Sequence, residues 1–190
     1  MKKSLGARII VGATPVWIVG TYDISGKPNI MAAAWAGVCC SDPPCVAVSL
    51  RKATYSYGNI VRHEAFTINI PSADHVKEAD YAGMASGKDV DKFTTLHFTA
   101  VKSDLVNAPY VQEFPLILEC KLLHTIEIGL HTQFIGEILD VKAEESVLGE
   151  NKNLQMEKIN QFLFSPGTVS YHKIGDYIGG AFSVGKEFEI

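Results

Sequence analysis

From Leu116 to Leu122 the apolar set Leu116, Leu118, Cys120 and Leu122 alternates with Glu119 and Lys121. Period-two alternation predicts a strand with one face buried. Gly129-Leu130 follows as a two-residue link with Gly first, the order a type II′ hairpin turn prefers, so the next strand returns antiparallel. The same reading predicts strands over Arg8 to Gly12, Val16 to Tyr22, Asn29 to Cys39, Cys45 to Arg51, Ala65 to Ile70, Leu116 to Ile128, His131 to Lys142 and Thr168 to His172. Helices are predicted at Tyr55 to Arg62, at Ser72 to Gly83 and at Asn153 to Phe164, where Leu154, Ile159, Phe162 and Leu163 share a face. No repeat or linker divides the chain. The expectation is one domain, residues 1–190, mainly β and mostly antiparallel, closed or partly closed as a barrel with peripheral α-helices.

Composition narrows the function classes. With 47% hydrophobic and 20% charged residues the chain is not of the disordered class. A net charge of −4 and the absence of any Lys/Arg run argue against nucleic acid as a partner. No apolar run reaches the roughly 18 residues of a membrane span, and the segment after Lys2-Lys3 is broken by Gly12, Thr14 and Pro15. A cytoplasmic protein is expected. Cys39, Cys40, Cys45 and Cys120 form no C-x-x-C and have no His at zinc-finger spacing, so they read as buried reduced thiols and not as metal ligands. In an extended segment Cys39 and Cys40 point to opposite faces.

The chemistry gathers where the strand Val46 to Leu50 ends on Arg51-Lys52-Ala53-Thr54-Tyr55-Ser56. Two cations and two hydroxyls stand where a strand hands over to a helix, whose first turn has free backbone N–H groups. That combination suits a phosphate, each charge-assisted bond contributing about 1.5–3 kcal/mol. The competing reading is a solvated basic pair beside a helix cap. Gly180 to Glu187 nearly spells a P-loop, but Glu187 replaces the required hydroxyl and no receiving helix fits after Lys186. Ile178, Phe182, Val184 and Phe188 better suit a terminal strand or a tail wrapped on a partner subunit.

Several segments in order then resemble a known family: Gly26-Lys27-Pro28-Asn29 with Trp35, Ser41-Asp42-Pro43-Pro44, Ser49-Leu50-Arg51-Lys52-x-Thr54-x-Ser56-x-x-Asn59-Ile60, Phe66-Thr67-Ile68-Asn69-Ile70, Ser86-Gly87-x-x-x-Asp91-Lys92-Phe93, and His131 to Ile138. Together they look like the flavin reductase-like proteins with an FMN-binding split barrel, most closely the flavoredoxin group. The resemblance covers nearly the whole chain.

It implies FMN as cofactor. Asn29, Met31, Ala32, Ala33, Ala34 and Trp35 would lie along the isoalloxazine ring, the small residues allowing close backbone approach. Where much of the family carries Ser or Thr this chain has Ala, so backbone bonds must do more. Trp35 either stacks on the ring or fills the barrel. Leu50, Arg51, Lys52, Thr54 and Ser56 match the segment that cradles ribityl and phosphate. Lys92 would face the N1/O2 edge and favour the anionic reduced flavin; without that role it is a surface ion pair of an acidic loop. His131 falls where related proteins carry Gly-Asp-His at the nicotinamide site, although Gly129-Leu130-His131 lacks the Asp. A hydrogen-bonded structural His is the alternative. The resemblance also implies a homodimer with FMN near its interface. No G-x-G-x-x-G follows a strand, so NAD(P)H would have to stack on the flavin itself; a redox protein as electron donor is the other possibility. The expected function is an FMN-dependent oxidoreductase or electron carrier, with a flavin reductase using flavin as substrate and a non-enzymatic flavin-binding module as alternatives.

Overall fold

The computed structural model describes residues 1–10 and 12–188, the side chain of Glu187 excepted. In chain order the strands and helices are β1 (Thr14–Pro15), β2 (Trp17–Tyr22), β3 (Pro28–Ala33), β4 (Ala36–Ser41), β5 (Pro44–Arg51), α1 (Tyr55–His63), β6 (Ala65–Ile70), α2 (Val76–Met84), α3 (Lys92–Leu96), β7 (Ala100–Lys102), β8 (Pro109–Val111), β9 (Leu116–Ile128), β10 (His131–Ala143), α4 (Met156–Ile159), β11 (Phe162–Ser165) and β12 (Ser170–Lys173).

Seven strands form one sheet in the order β3-β2-β6-β9-β10-β5-β4, every pairing antiparallel. Its two outermost strands, β3 and β4, are neighbours in sequence, joined by Ala34 and Trp35 alone. Two residues cannot bridge the width of a flat seven-stranded sheet, where neighbouring strands lie about 4.8 Å apart. The sheet must therefore curl until its edges meet. One backbone bond, Ser49 N to Trp35 O at 2.8 Å, ties this junction to β5. The barrel is closed by chain connectivity and left split along that line.

The alternation in β9 predicts the interior correctly. Leu116, Leu118 and Cys120 join Trp17, Val19, Val46, Val48, Leu50, Phe66, Ile68 and Phe134 inside the barrel, with Leu122 packed against them and Ile60 of α1 among them. Burying each large side chain contributes about 1.5–3 kcal/mol. A second core lies outside the barrel, where Ile18, Ile30 and Ile117 meet Ala79 and Ala82 of α2, Phe93 of α3, Val111 and Phe162. Strand β2 is thus covered on both faces, which accounts for its unbroken apolar run. Glu119, on the face expected to be polar and open, is fully buried with Lys142 Nζ 3.0 Å away. Buried Asn69 donates to Ile18 O and Thr67 Oγ1 and accepts from Val111 N, so its polar atoms are satisfied while it ties β6 to β2 and β8.

Several expectations change. The single strand over Asn29 to Cys39 is two strands on opposite sheet edges, broken at Ala34-Trp35. Residues 8–10 and 12 form no strand, and position 11 lies outside the described residues. Over Asn153 to Phe164 only Met156–Ile159 is helical, because Asn160 turns left-handed (φ 52°) and Phe162–Ser165 pairs with β12. The segment expected to start α2 opens with a 3-10 turn at Ala73–His75. Gly129 takes φ 50° while Leu130 keeps a negative φ, as the first position of a type II′ turn requires. Cys39 and Cys40 are exposed, and only Cys45 and Cys120 are buried. Among the described residues no helix is long and apolar enough to cross a membrane, and no cluster of His, Cys, Asp and Glu is arranged to hold a metal.

Candidate functional site

Strand β5 ends at Arg51, and the chain turns at once into α1. The turn is fastened twice to one carbonyl, by Thr54 N at 3.0 Å and Thr54 Oγ1 at 2.8 Å to Arg51 O. The Thr54 hydroxyl is turned to donate to that carbonyl and accepts from no helix N–H, and the first turn of α1 contains no acidic residue. The helix start therefore keeps its partial positive charge and its unpaired N–H groups. Arg51 stands beside it, exposed and in no ion pair among the described residues.

Opposite lies β3, an edge strand whose outer side carries no neighbouring strand. Asn29, buried, donates Nδ2 to Ser56 Oγ at 2.9 Å and so joins β3 to the first turn of α1. Asn59 donates to Thr21 Oγ1 at 3.1 Å and anchors the same helix to β2. Gly87, after α2, packs so close that a Cβ there would stand 2.0 Å from Asn29 Oδ1 and 2.7 Å from the Tyr55 ring. Tyr55 in turn donates its hydroxyl to Asp23 Oδ2 at 2.9 Å. Burial of Asp23 works to raise its pKa, but bonds from Ser25, Lys27 and Tyr55 outweigh burial and lower it to about 2.

Lys92 closes the far end. It is 3% exposed, and Nζ donates to Ile30 O at 2.8 Å and Ala82 O at 2.7 Å. An ammonium has three N–H donors, so one remains. Its acidic neighbour is spent elsewhere: Asp91 caps α3 through Thr94 N at 3.2 Å and pairs with Lys27 at 3.2 Å on the surface. Burial without a counter-ion lowers the Lys92 pKa to about 8. The expected surface ion pair of this loop exists, but Lys27 and Asp91 make it.

Between these walls is an open cleft of about 260 Å³, just under the roughly 300–1,000 Å³ of most small-molecule sites. Of the residues singled out in the sequence, Asn29, Met31, Arg51, Thr54, Ser56 and Lys92 line it together. The others stand elsewhere. Lys52 is exposed and paired with Glu127. Leu50 is 2% exposed and points into the barrel core. Ala32, Ala33 and Ala34 line a second, apolar recess of about 150 Å³ with Val16, Phe164 and Tyr171. Trp35 is half-buried at the barrel's split. His131, half-buried, begins β10 directly across from Arg51.

Tyr55 and Gly87 border the cleft and Phe164 and Tyr171 the recess without a sequence signal for it: Tyr55 sits at a variable position of the resembling segment, and the helical period through Phe164 hides its approach to Ala32–Ala34.

Residues 12–166 match the family model described as flavin reductase like domain. The flavoredoxin of Desulfovibrio vulgaris (Miyazaki F) is 54% identical, with a TM-score of 0.94 over 97% of this chain and 100% of that one. The flavoredoxin from Methanosarcina acetivorans is 32% identical, with a TM-score of 0.88 over 98% and 97%. A protein of Archaeoglobus fulgidus is 33% identical over 115 residues, 60% of this chain and 65% of its own, so the chain spans somewhat less than two thirds of that relative.

Proposed function

The chain belongs to the flavin reductase-like domain family, and from that premise we propose that it is an FMN-binding redox protein of the flavoredoxin kind. One observation carries the reading: an uncapped helix start with Arg51 at one end of a cleft, and a buried ammonium at the other, neither cation having a carboxylate partner among the described residues. This donor set fits a ligand bearing a phosphate at one end and an acceptor-rich ring at the other.

In this proposal the N–H groups at the start of α1, Arg51 and Thr54 hold the phosphate, with Lys52 joining if its pair with Glu127 opens. Asn29, Met31 and the free backbone edge of β3 border the ring. Ala32–Ala34 and Trp35 extend that border toward the apolar recess, and Ser56 holds the Asn29 amide in place. Leu50 contributes by fixing the end of β5 in the core. Bound FMN would supply electron transfer in ones or twos, which no side chain here supplies. Lys92 would place its remaining N–H and its charge toward the ring and favour the state carrying more negative charge. His131, opposite Arg51, is proposed as a hydrogen-bonding group at the edge of the site.

The electron donor is proposed to be NAD(P)H or a redox protein, acting in the cytoplasm. Stopped-flow absorbance of the FMN-loaded protein separates them. Bleaching by NADH or NADPH at a catalytically useful rate identifies a reductase; a flavin band that bleaches only with another reductant identifies a carrier. A purified chain that takes up no flavin would sink both. A homodimer is part of the same proposal. Ile126, Ile128 and Leu130 on the β9–β10 hairpin and Tyr177, Ile178, Phe182 and Phe188 near the C-terminus are exposed in one chain, and a second copy covering them is what the proposal needs. Light scattering that finds a monomer retaining FMN at micromolar concentration counts against it.

A further inference from the structure

Strands β4 and β5 are joined through Asp42-Pro43, and the register places Cys40 directly opposite Cys45. The pairing slips between Val38 and Cys40, so Cys39 is the extra residue of a bulge and the expected alternation of the vicinal thiols is broken there. Cys40 is exposed and its Sγ donates to Asp42 O at 3.4 Å, back over the turn. Cys45 is 3% exposed. Its pKa is raised by burial first, then by the nearby thiols of Cys40 and Cys39.

Directly opposed residues of an antiparallel pair have Cα atoms about 4.5–5.5 Å apart. A disulfide accepts about 4.4–6.8 Å. Adjacent residues on a trans peptide are held at about 3.8 Å, too close for an unstrained bridge, which disfavours Cys39–Cys40. We propose that Cys40 and Cys45 form a redox-active thiol pair that reacts with low-molecular-weight disulfides, Cys40 as the attacking group and Cys45 as the resolving group.

The Cys40 thiolate attacks one sulfur of the small disulfide, forms a mixed disulfide and expels one thiolate. The Cys45 thiolate then attacks the Cys40 sulfur and expels the second, leaving the Cys40–Cys45 bond. The two cysteines lose two electrons and two protons, and the small disulfide leaves as two thiols. The roles follow from exposure, because only Cys40 of the pair meets a molecule from solvent and Cys45 lies beneath it. This chemistry needs no flavin, so its outcome is independent of the function proposed above.

The sequence provides a direct readout, since the acid-labile Asp42–Pro43 bond lies between the two cysteines and is the chain's single Asp-Pro. The folded, full-length chain is treated with oxidised glutathione, its remaining thiols are alkylated, and mild acid cleaves that bond before non-reducing mass spectrometry. The two fragments are expected to stay joined in the parent and in Cys39→Ser, and to part after reduction, in Cys40→Ser and in Cys45→Ser. Cys45→Ser should also accumulate a glutathione adduct on Cys40. Should that buried variant fail to fold, Cys40→Ser, at an exposed position, makes the same distinction. Fragments that part in the oxidised parent, that remain joined without Cys40 or Cys45, or whose joining requires Cys39 would overturn the pair, as would a bond between two chains.

Discussion

Asn29 and Ser56, 27 residues apart, are joined by a buried side-chain hydrogen bond of 2.9 Å that fixes the edge of the sheet to the first turn of α1. Ser56→Ala leaves the Asn29 amide without that acceptor, and an unsatisfied buried donor costs about 1–3 kcal/mol. Urea unfolding should show this loss. Isothermal titration should show FMN and riboflavin weakened alike, because the change disturbs the ring border and not the phosphate contacts.

Arg51→Ala should behave oppositely. Losing one charge-assisted phosphate bond of about 1.5–3 kcal/mol weakens FMN roughly 10- to 150-fold while riboflavin is nearly unaffected. Lys52→Ala should cost less than Arg51→Ala, since Lys52 is already engaged by Glu127. Equal losses for FMN and riboflavin in Arg51→Ala would remove the phosphate assignment.

The Lys92 ammonium sets a potential and a pH dependence. Lys92→Gln should lower the two-electron potential of bound FMN by about 30–60 mV, equivalent to roughly 1.4–3 kcal/mol. A potential within about 10 mV of the parent, with FMN still bound, excludes a role at the ring. Without ligand the Lys92 pKa is about 8 against an ordinary 10.5. Between those values the unfolded chain binds more protons, so the contribution of Lys92 makes stability rise with pH through that window. A negatively charged ligand raises the pKa and takes up a proton, so its affinity should fall as pH rises above about 8. Lys92→Gln should abolish that fall.

Asp23 gives the reverse signature. With a folded pKa of about 2, below the ordinary 3.8, its contribution is complete above about pH 4 and is lost as pH falls toward 2. Acid unfolding followed by circular dichroism should show a shallower loss in Asp23→Asn. Tyr55→Phe, which removes one of the bonds to that carboxylate, should cost about 1.5–3 kcal/mol at neutral pH.

Lys142 carries a stability prediction away from the cleft. Lys142→Met strands the buried Glu119 carboxylate and should cost about 3–5 kcal/mol. Adding Glu119→Leu should recover most of it in thermal melts. Strictly additive losses would show that the two side chains are not coupled.

Strand alternation made β9 legible because the interior set Leu116, Leu118 and Cys120 recurs at the strand period. The same alternation places Glu119 toward solvent, because the partner that lets it be buried, Lys142, is 23 residues away on β10, beyond any local pattern. The break at Ala34-Trp35 was invisible for a related reason: Ala32, Ala33 and Ala34 suit a strand, and only the opposite placement of β3 and β4 in the sheet forces a turn there. In the cleft, Arg51, Thr54 and Ser56 were readable because their chemistry is contiguous in sequence. Lys92 was less so, since its two carbonyl partners come from β3 and α2. The apolar residues of Phe162–Ser165 satisfy a helical face as well as a strand, and pairing with β12 is what decides between them.

The two-residue junction between β3 and β4 also bears on how the molecule assembles. From Ala33 to Ala36 there are three Cα–Cα steps, so the chain holds those strand ends within about 11 Å of each other even when unfolded. Bringing the first and last strands of the barrel together therefore costs almost no loop entropy. The expensive encounters are those of β2 with β6 and of β6 with β9, each about 50 residues apart, of β5 with β10, about 80 to 90 apart, and of β1 with β11, about 150 apart. Those pairings should limit the folding rate. Lengthening the junction with glycines should leave that rate nearly unchanged and instead speed unfolding, with the wedge between the first and last strands free to open.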